Sequence, residues 1–408
     1  MKININIRNI ITTFIAPFKG LTPEIWLLAA VNMVNRVGSM VLAFLTIYLT
    51  KELHFSLIDA GYIMSFFGIG TIFGAYFGGL WTDRFGYHRV QLCMLIAGGI
   101  SMLLAMLMKD FWSLCAILFC ISFAADAFRP ANSIAIKTHS TDEQRTRSFS
   151  LLRVGVNLSI AVAVILGGLL TRIGWSYLFW ADALTSFAAA LTLIFFVKEK
   201  KRTQVVDKQE VRAEIKAAKS AFKDKDYLVF VLMTFLGAMV FMQLIWSVPK
   251  FFKDIYGWEE VFIGFMVAIN GVTVMLAEMP VVFQLDGKRH NLYFVRIGIV
   301  IYAACYVAFL LPVSVAFYSV IFYMIAISFG EIFVMPFSSS WATKRGDGPR
   351  QGEYMGLYGQ AYSFSNVLAP IFATQIIYRF GYDALWYALV LLCVFAWFGF
   401  RYLEKNTD

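Results

Sequence analysis

The chain has 408 residues, of which 60% are hydrophobic and only 15% are charged, and its mean hydropathy is +0.69. A soluble domain carries about 25% charged residues, so the composition excludes a soluble domain and reads as an integral membrane protein. The net charge of +9 would suit a nucleic-acid binder, but its placement along the chain assigns it to membrane orientation instead.

Residues 1–20 contain a short apolar patch, Ile10 to Phe18, which reads as an amphipathic lead-in on the membrane surface rather than a cleavable signal. Apolar segments of about 20 residues, each matching a hydrocarbon core of roughly 30 Å, then follow at 25–49, 57–80, 90–108, 112–136, 148–171 and 176–197. A charged stretch free of Gly and Pro occupies 198–226, with helical periodicity in Val211, Ile215, Ala218 and Phe222. Six more apolar segments follow at 227–250, 258–283, 292–311, 313–339, 352–377 and 383–402. Lipid admits only helices and closed barrels, and the alternating ten-residue pattern of barrel strands is absent. The expectation is an all-α membrane protein of twelve spans. Residues 1–197 and 227–408 form two six-helix bundles, joined by a partly helical linker over 198–226.

Lys and Arg number 25 in the even-numbered loops and termini against 6 in the odd-numbered loops, counting Lys250 and Arg401 with the loops they adjoin. This bias places both termini and the linker in the cytoplasm of a multi-pass inner-membrane protein. The five cysteines lie in or beside spans without metal-ligand spacing, and His54, His88, His139 and His290 fall in or beside loops. No HExxH, GxSxG or Walker A string occurs. An enzyme, a metal site, a cofactor and a nucleic-acid partner are therefore not expected. The expected partners are a small-molecule substrate and the bilayer, and the expected state is a monomer.

The two halves repeat. Pro130 in FRPANSIAI answers Pro336 in VMPFSSSWA, GWSYLFW from Gly174 answers GYDALWY from Gly381, Gly61 answers Gly264, and Asp83 answers Asp286. Offsets of 203 to 207 shared by four landmarks indicate a parallel duplication, with a pseudo-twofold axis along the membrane normal and a cavity between halves.

Charges inside the spans cost about 2.5–3.5 kcal/mol each on insertion scales, so each needs a reason. Asp126 and Arg129 share a helix face at three-residue spacing and can neutralise one another. Glu331 lies one residue from the repeat equivalent of Asp126, which makes the fourth and tenth spans the expected proton-coupling or cation-holding pair. Arg36, beside Asn32 and Asn35, sits midway through the first span and must find an acid, a carbonyl or an anionic substrate. Arg153 and Asp182, nearer span ends, read as packing residues. Glu278 precedes Pro280, reads as a gating acid, and has its nearest bases in Lys288–Arg289. Tyr354, Tyr358 and Tyr362 form one stripe suited to a cavity wall or to helix packing.

The loop after the second span reads Gly79-Leu80-Trp81-Thr82-Asp83-Arg84-Phe85-Gly86-Tyr87-His88-Arg89. It resembles the loop signature of the major facilitator superfamily, Gly-x-Leu-Ala-Asp-Arg-x-Gly-Arg-Lys. Trp81 departs from it, Tyr87-His88 replaces the basic pair, and Arg89 comes one position late. The resemblance covers the whole chain and implies secondary transport by alternating access, with Gly79, Asp83, Arg84, Gly86 and Arg89 forming a latch between halves. The segment around Gly330-Glu331, Pro336 and Gly352 to Tyr358 is similar to bacterial multidrug-resistance-type members. Partial likeness to proton-coupled oligopeptide transporters rests on a Glu shortly before a Pro on the tenth helix. Where that family has Glu-x-x-Glu-Arg on helix 1, this chain has Asn32-Met33-Val34-Asn35-Arg36. The efflux branch's Arg early in helix 4 and Gly-Pro pair in helix 5 are also missing, with Arg129 late in its span and Gly167-Gly168 without the proline. The expected function is proton-coupled efflux of an amphipathic or cationic compound, with Arg36, Asn35, Asp126, Arg129, Glu331 and Tyr358 at the substrate and proton site. Uptake of a peptide-like or zwitterionic nutrient is the alternative, and a non-transporting receptor or an enzyme is the remote one.

Overall fold

The computed structural model describes residues 16–197 and 218–407. The expected linker helix falls mostly outside the described residues. Phe222 lies in a short 3-10 turn, Ala221–Lys223, with its ring 6.2 Å from that of Tyr76.

Helices account for the described spans. They are α1 (Pro23–Val37) and α2 (Met40–Ile47), then α3 (Leu57–Phe85), α4 (Tyr87–Ala105), α5 (Phe111–His139), α6 (Arg145–Thr171) and α7 (Trp175–Phe196). After the linker come α8 (Lys225–Phe241), α9 (Glu260–Leu285), α10 (Asn291–Val307), α11 (Ala316–Arg345) and α12 (Gln351–Asn406). At 56 residues, α12 would run about 84 Å if straight, far beyond one bilayer. Gly381 interrupts it at φ 83°, ψ 179°, a conformation open to glycine. Residues 351–380 and 382–406 therefore count as two crossings, giving twelve among the described residues. Large apolar side chains such as Phe195, 72% exposed, suit a surface that faces acyl chains rather than water.

The first span departs from the continuous helix expected over 25–49. It breaks at Gly38–Ser39 between α1 and α2. The buried carboxylate of Asp182 on α7 accepts the backbone N–H groups of Met40 and Val41 at 3.1 and 2.9 Å. A free helix N-terminus inside the bundle is thereby satisfied. Gly38 is needed there because a Cβ would fall 1.9 Å from Thr185 Oγ1.

Within the first half, α3 packs on α5 through Gly70, Gly74 and Gly78, a small-residue stripe at four-residue spacing that lets the two backbones meet. Between the first and second halves, α3 lies along α12 and α6 along α9. Those two seams position the site.

Candidate functional site

A cavity of about 360 Å³ lies between the halves. From α1 come Asn32, Asn35 and Arg36; from α5, Arg129, Asn132 and Ser133; from α6, Arg153 and Asn157. The facing wall is Glu331, Met335 and Ser339 of α11 with Met355, Tyr358 and Tyr362 of α12. Pro130 and Pro336 stand inside α5 and α11. Each removes one helical N–H and frees the carbonyl four residues earlier, that of Asp126 or Ile332.

Most of the sequence-predicted residues gather here. Asp126 and Arg129 pair at 2.9 Å, with Asp126 buried and Arg129 reaching the cavity. Arg36 feels the charges of both Arg129 and Asp126. Among the described residues its side chain makes no hydrogen bond or ion pair. Asn35 Nδ2 donates to Ser186 Oγ at 3.4 Å. The tyrosine stripe divides: the Tyr358 hydroxyl is 3.0 Å from Ser339 Oγ and 3.3 Å from that of Tyr362, whereas the Tyr354 hydroxyl leaves the cavity and donates to Asp224 at 3.1 Å.

Arg153 corrects two expectations at once. It is no packing residue near a span end, because its guanidinium crosses between halves. Nε donates to Glu278 Oε1 at 2.8 Å and Nη2 to Glu331 Oε1 at 2.7 Å, while Nη1 points at Met335 Sδ. Glu278, fully buried, therefore finds its base on α6 and not in the Lys288–Arg289 loop. The bases on Glu331's own helix, Lys344 and Arg345, lie in its last turn, and the one that Glu331 meets is this one opposite. Its Oε2 accepts from Asn270 Nδ2 at 3.3 Å.

Below the cavity, at the end where α1 and α8 begin, polar contacts close the space. Asp83 Oδ1 and Oδ2 accept the N–H groups of Gly352 and Glu353, the first turn of α12, at 2.6 and 2.9 Å. The α3 and α12 backbones touch beside this contact: a Cβ on Gly79 would sit 2.2 Å from the Gly352 carbonyl oxygen, and Gly356 faces Ala75 in the same seam. Lys137 Nζ donates to Asp347 at 2.8 Å and to Gln351 at 3.3 Å, and Thr146 Oγ1 donates to Ser340 Oγ at 3.1 Å. The hydrogen bond from Lys137 holds the Asp347 carboxyl below the usual carboxylate range.

The linker end joins this closure. Glu353 Oε1 accepts from Ser220 Oγ and from the Ala221 N–H, the latter at 3.0 Å, and its Oε2 accepts from Arg350 at 2.7 Å. Burial alone would raise the Asp224 carboxyl, but a two-pronged bond from Arg345, 3.0 Å at each oxygen, and the Tyr354 hydroxyl lower it.

Of the predicted latch residues, Gly79 and Asp83 meet α12 directly, and Gly86 turns the chain between α3 and α4 at φ 85°. Arg84 and Arg89 are exposed, and neither makes a hydrogen bond or ion pair among the described residues. Asp286, the repeat counterpart of Asp83, lies by Thr146 and Arg147 in the first turn of α6, so the closure has a twofold character.

Sequence reasoning missed the Arg153 bridge and the Lys137–Asp347 tie. Arg153 stood out as a costly charge, but its partners lie 125 and 178 residues away.

Twelve crossings among the described residues, arranged in two similar sets with a polar cavity between them and a closure at one end, have the architecture of a membrane-spanning secondary transporter. Residues 25–370 match the Major Facilitator Superfamily profile, and the chain belongs to that family. It is 24% identical over 393 residues to a Na(+), Li(+), K(+)/H(+) antiporter of Planococcus maritimus, covering 89% of this chain and 91% of that one. It is also 20% identical over 364 residues to Multidrug resistance protein 1 of Bacillus subtilis, covering 88% and 92%. The solved structure of the human organic anion transporter MFSD10 (TETRAN) superposes with a TM-score of 0.74 at 14% identity, over 93% of this chain and all of that one. At that identity the likeness concerns the fold.

Proposed function

We propose that the chain is a proton-coupled transporter of an organic small molecule in the bacterial inner membrane, exporting it in exchange for protons. The observation that carries the coupling is the bridge from Arg153 on α6 to Glu278 on α9 and Glu331 on α11. With all three ionised, one cation faces two carboxylates, and a single proton balances the group.

Loop charge supports placing both termini in the cytoplasm, so the closure around Asp83 shuts the cytoplasmic side in this conformation. Opening that side requires α6 to part from α9 and α11, which strands buried carboxylates. Breaking a buried ion pair by removing one partner costs about 3–5 kcal/mol, and protonating a carboxylate removes much of that cost. Proton binding and opening are thereby linked through one side chain. The Asp126–Arg129 pair is the second place where a proton can alter charge across the cavity. Relatives named for antiport and for drug resistance support export.

Uptake of a zwitterionic nutrient is the second reading, favoured by Arg36 as a carboxylate partner. The engagement of Glu331 by Arg153 removes its amine half in this conformation.

Proteoliposomes with an imposed pH gradient test the proposal, using naphthalene-2-sulfonate and (2-naphthylmethyl)trimethylammonium as permanently charged probes. Wild-type protein accumulates at least one probe against its gradient, and Glu331→Gln retains downhill flux but loses the response to pH. An identical gradient response in wild type, Glu331→Gln and Asp126→Asn overturns the proton assignment.

A further inference from the structure

We propose that the cavity recognises an organic anion, a single carboxylate, sulfonate or phosphate group on an apolar or aromatic body, and that Arg36 binds its charge. The inference rests on reading this cavity as the transport site, and it names the substrate class that the site takes.

The argument begins with the distribution of charge around the cavity. Three arginines line it, Arg36, Arg129 and Arg153. Arg153 is fully engaged by Glu278 and Glu331, and Arg129 has Asp126 at 2.9 Å. Arg36 has no carboxylate of its own. The charges within its reach are those of Arg129 and Asp126, so two guanidinium groups share one acid on this side, while the surplus carboxylate of the cavity lies apart, in the group that Arg153 holds. Midway through a bilayer an arginine needs an acid, a carbonyl dipole or a ligand. Here the nearest acid, Asp126, is paired with Arg129, and no acid or carbonyl takes a hydrogen bond from the Arg36 side chain among the described residues.

The surroundings of Arg36 suit an anion. Asn32, Asn35 and Asn157 line the same cavity, and their amides can donate to oxyanion oxygens. A guanidinium presents a planar fork of donors matched to carboxylate, sulfonate or phosphate. The rest of the lining is apolar or aromatic, with Phe128, Phe149, Met335 and Met355 able to hold the body of the ligand.

The same geometry argues against the other charge types. A cationic ligand would meet the unpaired Arg36 and would have to displace Arg153 to reach Glu331. A zwitterion would need a free carboxylate opposite Arg36. Glu331 is instead held by Arg153 through Oε1 and by Asn270 through Oε2.

Isothermal titration of the purified full chain in detergent, without any gradient, reads the charge preference directly. The probes share one naphthalene body: naphthalene-2-sulfonate, the neutral naphthalene-2-sulfonamide and (2-naphthylmethyl)trimethylammonium. The sulfonate binds at least tenfold more tightly than the other two. Arg36→Gln weakens the sulfonate by about tenfold or more, the loss of at least one charge-assisted hydrogen bond, and leaves the ammonium probe no weaker. Arg36→Lys, which keeps the charge and loses the fork, falls between, and unfolding curves of both variants establish that the fold survives. Equal binding of all three probes, a preference for the ammonium, or unchanged sulfonate affinity in Arg36→Gln overturns the inference. Because equilibrium binding needs no proton gradient, the anion preference and the proton-coupled reading fail separately: the first in this titration, the second in the gradient response of the liposomes.

Discussion

Replacing Asp83 with Asn keeps size and shape but removes the charge that holds α3 to α12. In the structure both carboxylate oxygens accept backbone N–H groups in the first turn of α12, from Gly352 at 2.6 Å and Glu353 at 2.9 Å. Those donors have no partner within their own helix. A hydrogen bond to a charged group contributes about 1.5–3 kcal/mol, against about 1 for a neutral one, and a helix N-terminus adds about 0.3–1 kcal/mol for a negative charge. Asparagine can accept from one N–H only and turns its own NH₂ towards the other. A net loss of about 2 kcal/mol from the closed form is a modest reading of these terms, and it shifts the open-to-closed ratio about 30-fold. Nitroxide labels at Glu143→Cys and Lys288→Cys, both exposed in loops of opposite halves, report the separation of this end in a chain whose five native cysteines have been replaced. Pulsed dipolar spectroscopy should show a longer distance gaining population in Asp83→Asn, with probe affinity at the cavity little changed. A distance distribution indistinguishable from wild type, in a variant that unfolds at the same temperature, would refute the assignment of Asp83 as a latch.

Two further substitutions probe the seams. Gly79→Val places a branched side chain where even a Cβ would lie 2.2 Å from the Gly352 carbonyl oxygen. Overpacking costs about 1–3 kcal/mol, so the same labels should report an opened end, and a retained short distance would show that the α3–α12 seam can move aside. Asp182→Ala strands the N–H groups of Met40 and Val41 inside the bundle, at about 1–3 kcal/mol for each unsatisfied group. It should lower the unfolding temperature by several degrees, whereas an unchanged temperature would mean that the break in the first span needs no cap.

The twelve spans could be read from the sequence because lipid demands long apolar helices, and the repeat was visible because Pro130 and Pro336 and the two Gly-aromatic turns recur at nearly one offset. The cavity residues Arg36, Asn35, Arg129 and Glu331, with the buried Asp126 paired to Arg129, announced themselves by the cost of burying polar groups in lipid. What stayed hidden depends on distant partners. Gly38-Ser39 in an apolar run looks like continuous helix until Asp182, more than 140 residues on, caps the second piece. Glu278 was matched to the bases nearest in sequence, whereas the base it meets lies on the other half. Spacing along a chain predicts pairs on one helix, as with Asp126 and Arg129, but carries no information about which side chains meet across a bundle interface.

The seam of Gly79, Gly352 and Gly356 has a consequence for speed. Where two helices meet through side chains, each approach must freeze rotamers, at up to about 2 kcal/mol for a long one. Here the touching surfaces are main chain against main chain, already rigid before they meet. Closing this end therefore orders almost nothing along the line of contact, and parting it releases almost nothing. On the proposed cycle, the free-energy difference between a closed and a parted end then rests on the polar ties beside the seam, Asp83, Lys137, Thr146 and Arg153 among them, where a small change in charge would set the direction of a large movement.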